Sequence, residues 1–217
     1  MRAKTKVLSD LKYLGVVAII RTDKPEQVIP VCESLITGGV SVLEITMTVP
    51  NAIEIMREVI RQLGQHALVG MGSVLDAKTA RAVLEAGAEF IVTPIAKVEV
   101  AAAARAAQRV CMLGAYTPTE AQLAHEAGAD LVKIFPADNL GPAYLKSLLA
   151  PMPHLKLVPT GGVTLDNAAQ FLKAGAAALG VGSSLVSKQI LAESNWGELI
   201  RLAAEYSRVV RQAREGQ

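Results

Sequence analysis

The sequence predicts an α/β protein that folds as one small (β/α)8 TIM barrel, and two patterns support this prediction. Short runs rich in Val and Ile alternate with longer segments of helical period, which is typical of repeated βα units around a parallel sheet. Eight such runs are present, which is the number of strands that a (β/α)8 barrel needs. The runs lie at residues 16–20, 40–46, 67–73, 90–94, 110–116, 131–136, 155–162 and 177–185.

The helical segments between the runs end in a repeated glycine. Gly39, Gly87, Gly128 and Gly175 each follow a helical pattern and precede an apolar run, at intervals of 48, 41 and 47 residues. Each glycine suits the left-handed backbone conformation that commonly follows a helix. One repeat therefore covers two βα units, and four repeats account for the eight strands.

Residues typical of helix N-termini are also present. The clearest case has Thr117 as a helix cap, Pro118 at the first helical position and Glu120 where it can complete a capping box. The segment before Gly15 is expected to form an N-terminal helix that closes the bottom of the barrel. We therefore expect residues 1–217 to form a single domain.

Two glycine-rich turns favour a closed barrel over an open doubly wound sheet. An open sheet usually carries a G-x-G-x-x-G fingerprint in its first βα turn, and none follows the run at residues 16–20. Glycines instead follow the seventh and eighth runs, in Thr160-Gly161-Gly162 and in Gly182-Ser183. Barrels commonly bind phosphate at these two positions.

The composition excludes several other classes of protein. Hydrophobic residues make up 51% of the 217 residues and charged residues 19%, which excludes intrinsic disorder. No apolar stretch reaches the roughly 20 residues of a membrane span, and residues 1–15 lack the long apolar run of a signal peptide. A net charge of +2 without a basic stripe argues against nucleic acid as a partner. Cys32 and Cys111 lack metal-ligand spacing, which indicates reduced thiols in a cytoplasmic protein.

Charged residues inside the strand patterns are the candidates for chemistry. Side chains two residues apart share one face of a strand, so Lys133 lies on the same face as Phe135, opposite the face that packs on the outer helices. The same alternation directs Glu44 and Thr46 into the barrel, and it places Arg21 at the end of the first strand on the inner face. We expect Lys133, Glu44 and Arg21 to converge at the C-terminal end of the barrel.

A buried lysine beside a glutamate admits two interpretations. Lysine is rarely buried unless it is paired, so a Lys133–Glu44 ion pair without chemistry is one of them. The other is an amine that attacks a carbonyl to form a Schiff base, because burial favours the neutral, nucleophilic amine. Glu44 would then act as a general acid and base, since Schiff-base formation needs several proton transfers at one place.

The two glycine-rich turns are candidate anion sites. Bare glycines let an anion approach backbone N–H groups, and the turns lead into helices, so Gly161, Gly162, Gly182 and Ser183 are expected to bind phosphate. Simple turn chemistry is the alternative explanation for these glycines. The three histidines of the chain show no metal-ligand spacing, so we expect neither a metal ion nor an organic cofactor.

Five segments in order along the chain resemble a known enzyme family. They are residues 42–46 (VLEIT), 69–74 (VGMGSV), 92–94 (VTP), 132–136 (VKIFP) and 158–163 (VPTGGV). Together, over residues 17–185, they resemble the class I aldolases that act on 2-keto-3-deoxy-6-phosphogluconate (KDPG) and on 4-hydroxy-2-oxoglutarate (KHG). The resemblance implies a small (β/α)8 barrel that assembles as a homotrimer.

The resemblance also implies roles for individual residues. It identifies Lys133 as the Schiff-base lysine and Glu44 as the acid/base residue. Pro94 and Phe135 correspond to residues that line the pyruvate pocket. The remaining correspondences concern substrate and phosphate, and they fall on Thr160, Gly161, Gly162 and Ser183.

Two positions depart from the family pattern. Many members carry an arginine shortly after the glutamate that contacts the substrate carboxylate, whereas this chain has Thr48 there. Arg21 is the available substitute, with help from Ser73 and the turn at Thr160. The threonine of the third-strand motif is Ser73 here, which keeps the hydroxyl.

The sequence thus predicts a class I aldolase that cleaves KDPG into pyruvate and glyceraldehyde 3-phosphate. KHG and the galactonate epimer of KDPG are alternative substrates within the class. A phosphate-binding barrel isomerase or epimerase would use Glu44 and Lys133 without a covalent adduct. A sugar-phosphate binder without activity is the third alternative.

Overall fold

Eight parallel strands form the wall of a barrel in the computed structural model, which describes residues 2–215. The strands are β1 (Val16–Ile20), β2 (Val42–Thr46), β3 (Leu68–Gly72), β4 (Phe90–Val92), β5 (Val110–Ala115), β6 (Leu131–Ile134), β7 (Leu157–Pro159) and β8 (Leu179–Val181). They are hydrogen-bonded in the order β7-β6-β5-β4-β3-β2-β1-β8. A single bridge between Thr160 and Gly180 joins β7 to β8, so the predicted barrel is confirmed.

Helices alternate with the strands around the barrel. They are α1 (Lys4–Leu14), α2 (Val28–Thr37), α3 (Ala52–Leu63), α4 (Ala77–Glu85), α5 (Val98–Ala106), α6 (Pro118–Glu126), α7 (Gly141–Leu149), α8 (Leu165–Lys173), α9 (Lys188–Glu193) and α10 (Trp196–Glu215), with a short 3-10 helix at Pro25–Gln27. Helix α6 begins with the predicted capping box of Thr117 and Glu120. No helix within residues 2–215 is both long and apolar enough to cross a membrane.

The repeated glycines follow their helices in the left-handed conformation, as the sequence predicts. Their φ angles are 88° at Gly39, 105° at Gly87, 91° at Gly128 and 101° at Gly175. A side chain at these positions would clash with the backbone, whereas glycine adopts the conformation freely. Each helix can therefore stop within one residue and the chain can turn back into the next strand.

The strands alternate between two apolar layers. In β2, Val42 belongs to the cluster inside the barrel, whereas Leu43 and Ile45 belong to the larger cluster between the strands and the outer helices. Burial of each such side chain contributes about 1.5–3 kcal/mol to folding. This alternation fixes which side chains face the interior, because a shift of one residue would exchange the two layers.

Helix α1 seals the N-terminal end of the barrel. Val7 and Leu11 are fully buried and belong to the inner cluster, together with the first inward residues of the strands. Arg2 and Lys4 attach the helix to the barrel through ion pairs of 2.8 Å and 2.9 Å with Glu89 and Asp130. The interior is thus closed at the bottom and accessible only at the C-terminal end.

The seal provides a prediction for stability. Leu11→Ala leaves a cavity in the inner cluster and should lower the free energy of unfolding by about 2–5 kcal/mol, measured by urea denaturation. The matched control is Tyr13→Ala on the same helix, where the side chain is 80% exposed and the change should stay within about 0.5 kcal/mol. Equal effects of the two variants would contradict the role of α1 as a seal.

Candidate active site

The barrel interior changes from apolar to charged toward its C-terminal end, where Lys133 and Glu44 face each other. Lys133 is the third residue of β6 and Glu44 the third residue of β2, and both follow an inward apolar residue by two positions. Lys133 Nζ lies 3.6 Å from Glu44 Oε1, and the two side chains are only 8% and 2% exposed. The predicted convergence of the two residues is therefore present.

The Glu44 carboxylate is buried without full hydrogen bonding. Within residues 2–215, its Oε1 atom has no hydrogen-bond partner. A buried polar atom without a partner costs about 1–3 kcal/mol, and such atoms in native proteins often have a functional explanation. Gly72 makes room for this carboxylate, since a Cβ at residue 72 would overlap Oε1.

Thr46 also faces the interior, and its hydroxyl forms hydrogen bonds within the protein. It donates a hydrogen bond of 3.2 Å to the carbonyl of Ile20 and lies 2.7 Å from the hydroxyl of Thr48. These contacts join the end of β2 to the end of β1, directly before Arg21. The contact of Thr48 could not be predicted from the sequence, because loop residues follow no period that would indicate the direction of their side chains.

A cleft of about 750 Å³ opens at the C-terminal ends of β1, β6, β7 and β8. The predicted site residues in its wall are Arg21, Phe135, Thr160, Gly161, Gly162, Gly182 and Ser183. Lys133 is not part of this wall, but its Nζ lies 5.3 Å from the centre of the Phe135 ring. Phe135 therefore links the cleft to the buried lysine.

The wall of the cleft contains two tight turns, which we call the β7 turn (residues 160–163) and the β8 turn (residues 182–184). Gly161 and Gly162 have φ angles of 87° and 70°, which glycine adopts more readily than any other residue. The β7 turn leads into α8, and Asn167 of that helix donates a hydrogen bond of 2.8 Å to the Gly162 carbonyl. Two glycine-containing turns thus face one cleft, as an anion site requires.

Ser73 and Pro94 do not line this cleft. Ser73 follows β3 with a φ of 60°, and Pro94 follows β4 with its carbonyl against Gly114. Both residues lie at the same end of the barrel as the cleft, but on the side of β3, β4 and β5. The structure therefore brings together one group around Lys133 and Glu44 and a second group around the two turns.

The cleft also contains residues that sequence reasoning missed. Lys24 and Gln27 come from the loop after β1, Lys188 from α9 and Ser184 from the β8 turn. Arg21, Lys24 and Lys188 form no ion pair within the described part of the chain. Asp23 is a carboxylate in the same wall, and the three cationic side chains outnumber it, so the cleft has net positive charge for an anionic ligand. Exposed lysines are common in any sequence, so nothing in the pattern distinguishes Lys24 and Lys188.

Other nucleophiles and metal ligands are poorly placed for chemistry. Cys32 and Cys111 are free and buried, and burial raises the pKa of Cys111 to about 12 and that of Cys32 still further. Their thiols therefore stay protonated and unreactive at neutral pH. Across residues 2–215, no group of three or more His, Cys, Asp and Glu side chains could hold a metal ion.

Known proteins resemble this chain in both sequence and fold. The chain is 31% identical to the 2-dehydro-3-deoxy-phosphogluconate aldolase of Pseudomonas aeruginosa, over 88% of this chain and 86% of that protein. It is 35% identical to the 2-dehydro-3-deoxy-6-phosphogalactonate aldolase of Escherichia coli K12, over 79% and 84% of the two chains.

A solved structure agrees with these relatives. The crystal structure of KDPG aldolase from Legionella pneumophila, with pyruvate captured as a covalent carbinolamine intermediate, superposes with a TM-score of 0.83. It is 27% identical, and the match covers 94% of this chain and 97% of that one. The sequence profile of the KDPG and KHG aldolases matches residues 7–202. This chain therefore belongs to the KDPG and KHG aldolase family.

Proposed function

We propose that this protein is a class I aldolase that cleaves KDPG to pyruvate and glyceraldehyde 3-phosphate. The observation that carries the proposal is the buried Lys133 amine, 3.6 Å from a Glu44 oxygen that has no hydrogen-bond donor among residues 2–215. The cleft beside this pair has positive charge and two glycine-containing turns, which suit a phosphorylated acid. Relatives that share the family are KDPG aldolases.

The reaction begins with a bond between Lys133 Nζ and the C2 ketone carbon of the substrate. Glu44 delivers a proton to the oxygen of the resulting carbinolamine, which leaves as water, and the protonated imine remains. The imine then accepts the electron pair of the C3–C4 bond, while Glu44 takes the proton of the C4 hydroxyl. Glyceraldehyde 3-phosphate leaves, the enamine is protonated at C3, and water releases pyruvate and restores Lys133.

The position of Glu44 suits this sequence of proton transfers. Its Oε1 atom is free to accept a proton and lies beside the amine that forms each intermediate. Both groups are shielded from bulk water, so their electrostatic interaction with developing charge is strong. No step of this mechanism needs a metal ion or an organic cofactor.

The remaining predicted residues are assigned to substrate binding. In this proposal Arg21 and Thr160 bind the carboxylate from the cleft, Ser73 approaches it from the end of β3, and Pro94 and Phe135 border the pyruvate portion. Thr46 contributes through the Ile20 carbonyl that it holds, because this contact fixes the backbone before Arg21. The phosphate is bound by Gly161, Gly162, Gly182 and Ser183.

The positive charge of the cleft favours phosphorylated substrates over KHG. Arg21, Lys24 and Lys188 supply this charge near the two turns, and a phosphate uses it more fully than the second carboxylate of KHG, which carries only one negative charge. The galactonate epimer of KDPG carries the same phosphate, and one relative is a 2-dehydro-3-deoxy-6-phosphogalactonate aldolase. Comparison of kcat/KM for the three compounds ranks them directly.

We also propose that the protein is a homotrimer in the cytoplasm. An apolar surface formed by Leu75, Ile95, Val98, Tyr116 and Leu123 is exposed on neighbouring segments after β3, β4 and β5. Exposed apolar groups of this extent are typical of a protein interface. The two free cysteines agree with a reducing compartment.

Borohydride trapping tests the aldolase mechanism. Incubation with pyruvate and sodium borohydride should produce a reduced pyruvyl adduct on Lys133, identified by peptide mass spectrometry. Lys133→Met should give no adduct and lower kcat for KDPG cleavage by at least a thousandfold, because the nucleophile is lost. Lys146→Met, which removes an exposed lysine on α7, should be trapped as efficiently as the parent protein.

The absence of an adduct on the folded parent protein would exclude the class I mechanism. An isomerase or epimerase that uses Glu44 and Lys133 without a covalent bond would then be the better explanation. If the Lys133→Met variant instead kept its physiological function, a binder without activity would replace the enzyme.

Gly72 provides a test of the position of Glu44. Gly72→Ala places a methyl group on Oε1, so the carboxylate must move and kcat for KDPG cleavage should fall by about tenfold to a hundredfold. Gly197→Ala is the matched control, because a Cβ there meets only the Asn195 side chain at 3.9 Å. Unchanged kcat in a folded Gly72→Ala variant would contradict the assigned position of Glu44.

The trimer is tested by the mass of the protein in solution. Analytical ultracentrifugation should give three times the 22.9 kDa of one chain. Replacement of Ile95 and Val98 by Asp should lower this mass, because each change places a charge in the proposed interface. A parent protein that sediments as one chain would contradict the proposal.

A further inference from the structure

The β7 and β8 turns are joined by a hydroxyl that sequence reasoning did not consider. Ser184 of the β8 turn donates a short hydrogen bond to the carbonyl of Val163, the last residue of the β7 turn. Val163 is only 1% exposed, so its carbonyl depends on protein donors. The contact therefore connects the two segments that are proposed to bind one phosphate.

A second hydroxyl reaches the same carbonyl from the outer layer of helices. Tyr206 of α10 is 1% exposed, and its phenol donates a hydrogen bond of 3.4 Å to the Val163 carbonyl. Burial raises the pKa of Tyr206 above its ordinary value, so the phenol keeps its proton and remains a donor.

The two hydroxyls differ in their relation to the cleft. Ser184 borders the cleft, whereas Tyr206 does not belong to its wall. The Tyr206 hydroxyl therefore acts on a ligand in the cleft through the Val163 carbonyl, its hydrogen-bond acceptor. A change at Tyr206 therefore reports the position of the turns, because this side chain does not belong to the wall that contacts the ligand.

We propose that Ser184 and Tyr206 are positioning residues that hold the β7 and β8 turns at the separation needed to bind the substrate phosphate. The inference rests on the phosphate site of the proposed function. Backbone N–H groups of two different turns can bind one anion only while the turns keep a fixed distance. The Val163 carbonyl, shared by the two hydroxyls, is the contact that fixes this distance.

Calorimetric titration with inorganic phosphate tests the proposal on the full chain. Ser184→Ala and Tyr206→Phe should each weaken phosphate binding about 2- to 12-fold, which corresponds to the loss of one intramolecular hydrogen bond. The double variant should lose more than the product of the two single effects, because the buried carbonyl then loses both donors. Ser184→Thr keeps a hydroxyl and should retain most of the affinity.

A buried serine far from the cleft provides the matched control. Ser34 is 5% exposed and donates a hydrogen bond of 2.7 Å to the Pro30 carbonyl within α2. Ser34→Ala removes a comparable hydrogen bond and should bind phosphate as the parent protein does. An equal loss of affinity in Ser34→Ala, or affinities within twofold of the parent for both Ser184→Ala and Tyr206→Phe, would overturn the proposal.

Steady-state kinetics separate positioning from general damage to the fold. In Ser184→Ala, KM for KDPG should rise by the same factor as the phosphate dissociation constant, while kcat stays within about twofold. A parallel fall in kcat would instead indicate a general structural defect and would contradict the proposal. The phosphate titration needs no turnover, so its result stays distinct from a failure of pyruvate trapping on Lys133.

Discussion

The buried pair of Lys133 and Glu44 is the constraint on which the arrangement of the barrel depends. Removal of two charges from water is costly, and an apolar pair at these positions is often as stable. The barrel accommodates the pair at one end only: the interior below it is apolar and sealed by α1. Gly72 leaves room for the carboxylate where any side chain would displace it. The Lys133 amine thus lies between an apolar, closed part of the barrel interior and the open C-terminal end.

Two groups of residues lie at the C-terminal end of the barrel, with Phe135 between them. On one side lie Lys133 and Glu44, which suit covalent chemistry on a ketone. On the other side the cleft has positive charge from Arg21 and two glycine-containing turns that suit an anion. A ligand that carries a ketone at one end and a phosphate at the other can use both sides at once. Binding at the anion side then helps to place the ketone near the amine.

The period-two alternation of the strands made most of this arrangement predictable from sequence. It placed Lys133 on the face of Leu131 and Glu44 on the face of Val42, because side chains two residues apart share one face of a strand, and both faces point into the barrel. It could not single out Lys24 in the loop after β1 or Lys188 at the start of α9, because exposed lysines follow no strand period. The hydrogen bonds of Thr46 and Ser184 depend on side-chain directions that only coordinates provide. Strand ends were overestimated at β7 and β8, where apolar residues continue into the turns.

The closure of the barrel has a consequence for the stability of the whole molecule. Within the described chain, β7 and β8 share one bridge, Thr160 to Gly180, beside a hydrogen bond of 2.8 Å from the Ala177 N–H to the Leu157 carbonyl. The other neighbouring strands pair through two to five residues. The β7 and β8 turns lie directly above this seam. An anion bound to both turns spans the seam, so part of its binding free energy opposes opening of the ring. With the phosphate bound as proposed, substrate concentration and resistance to unfolding would be coupled, because the ligand would hold β7 and β8 together.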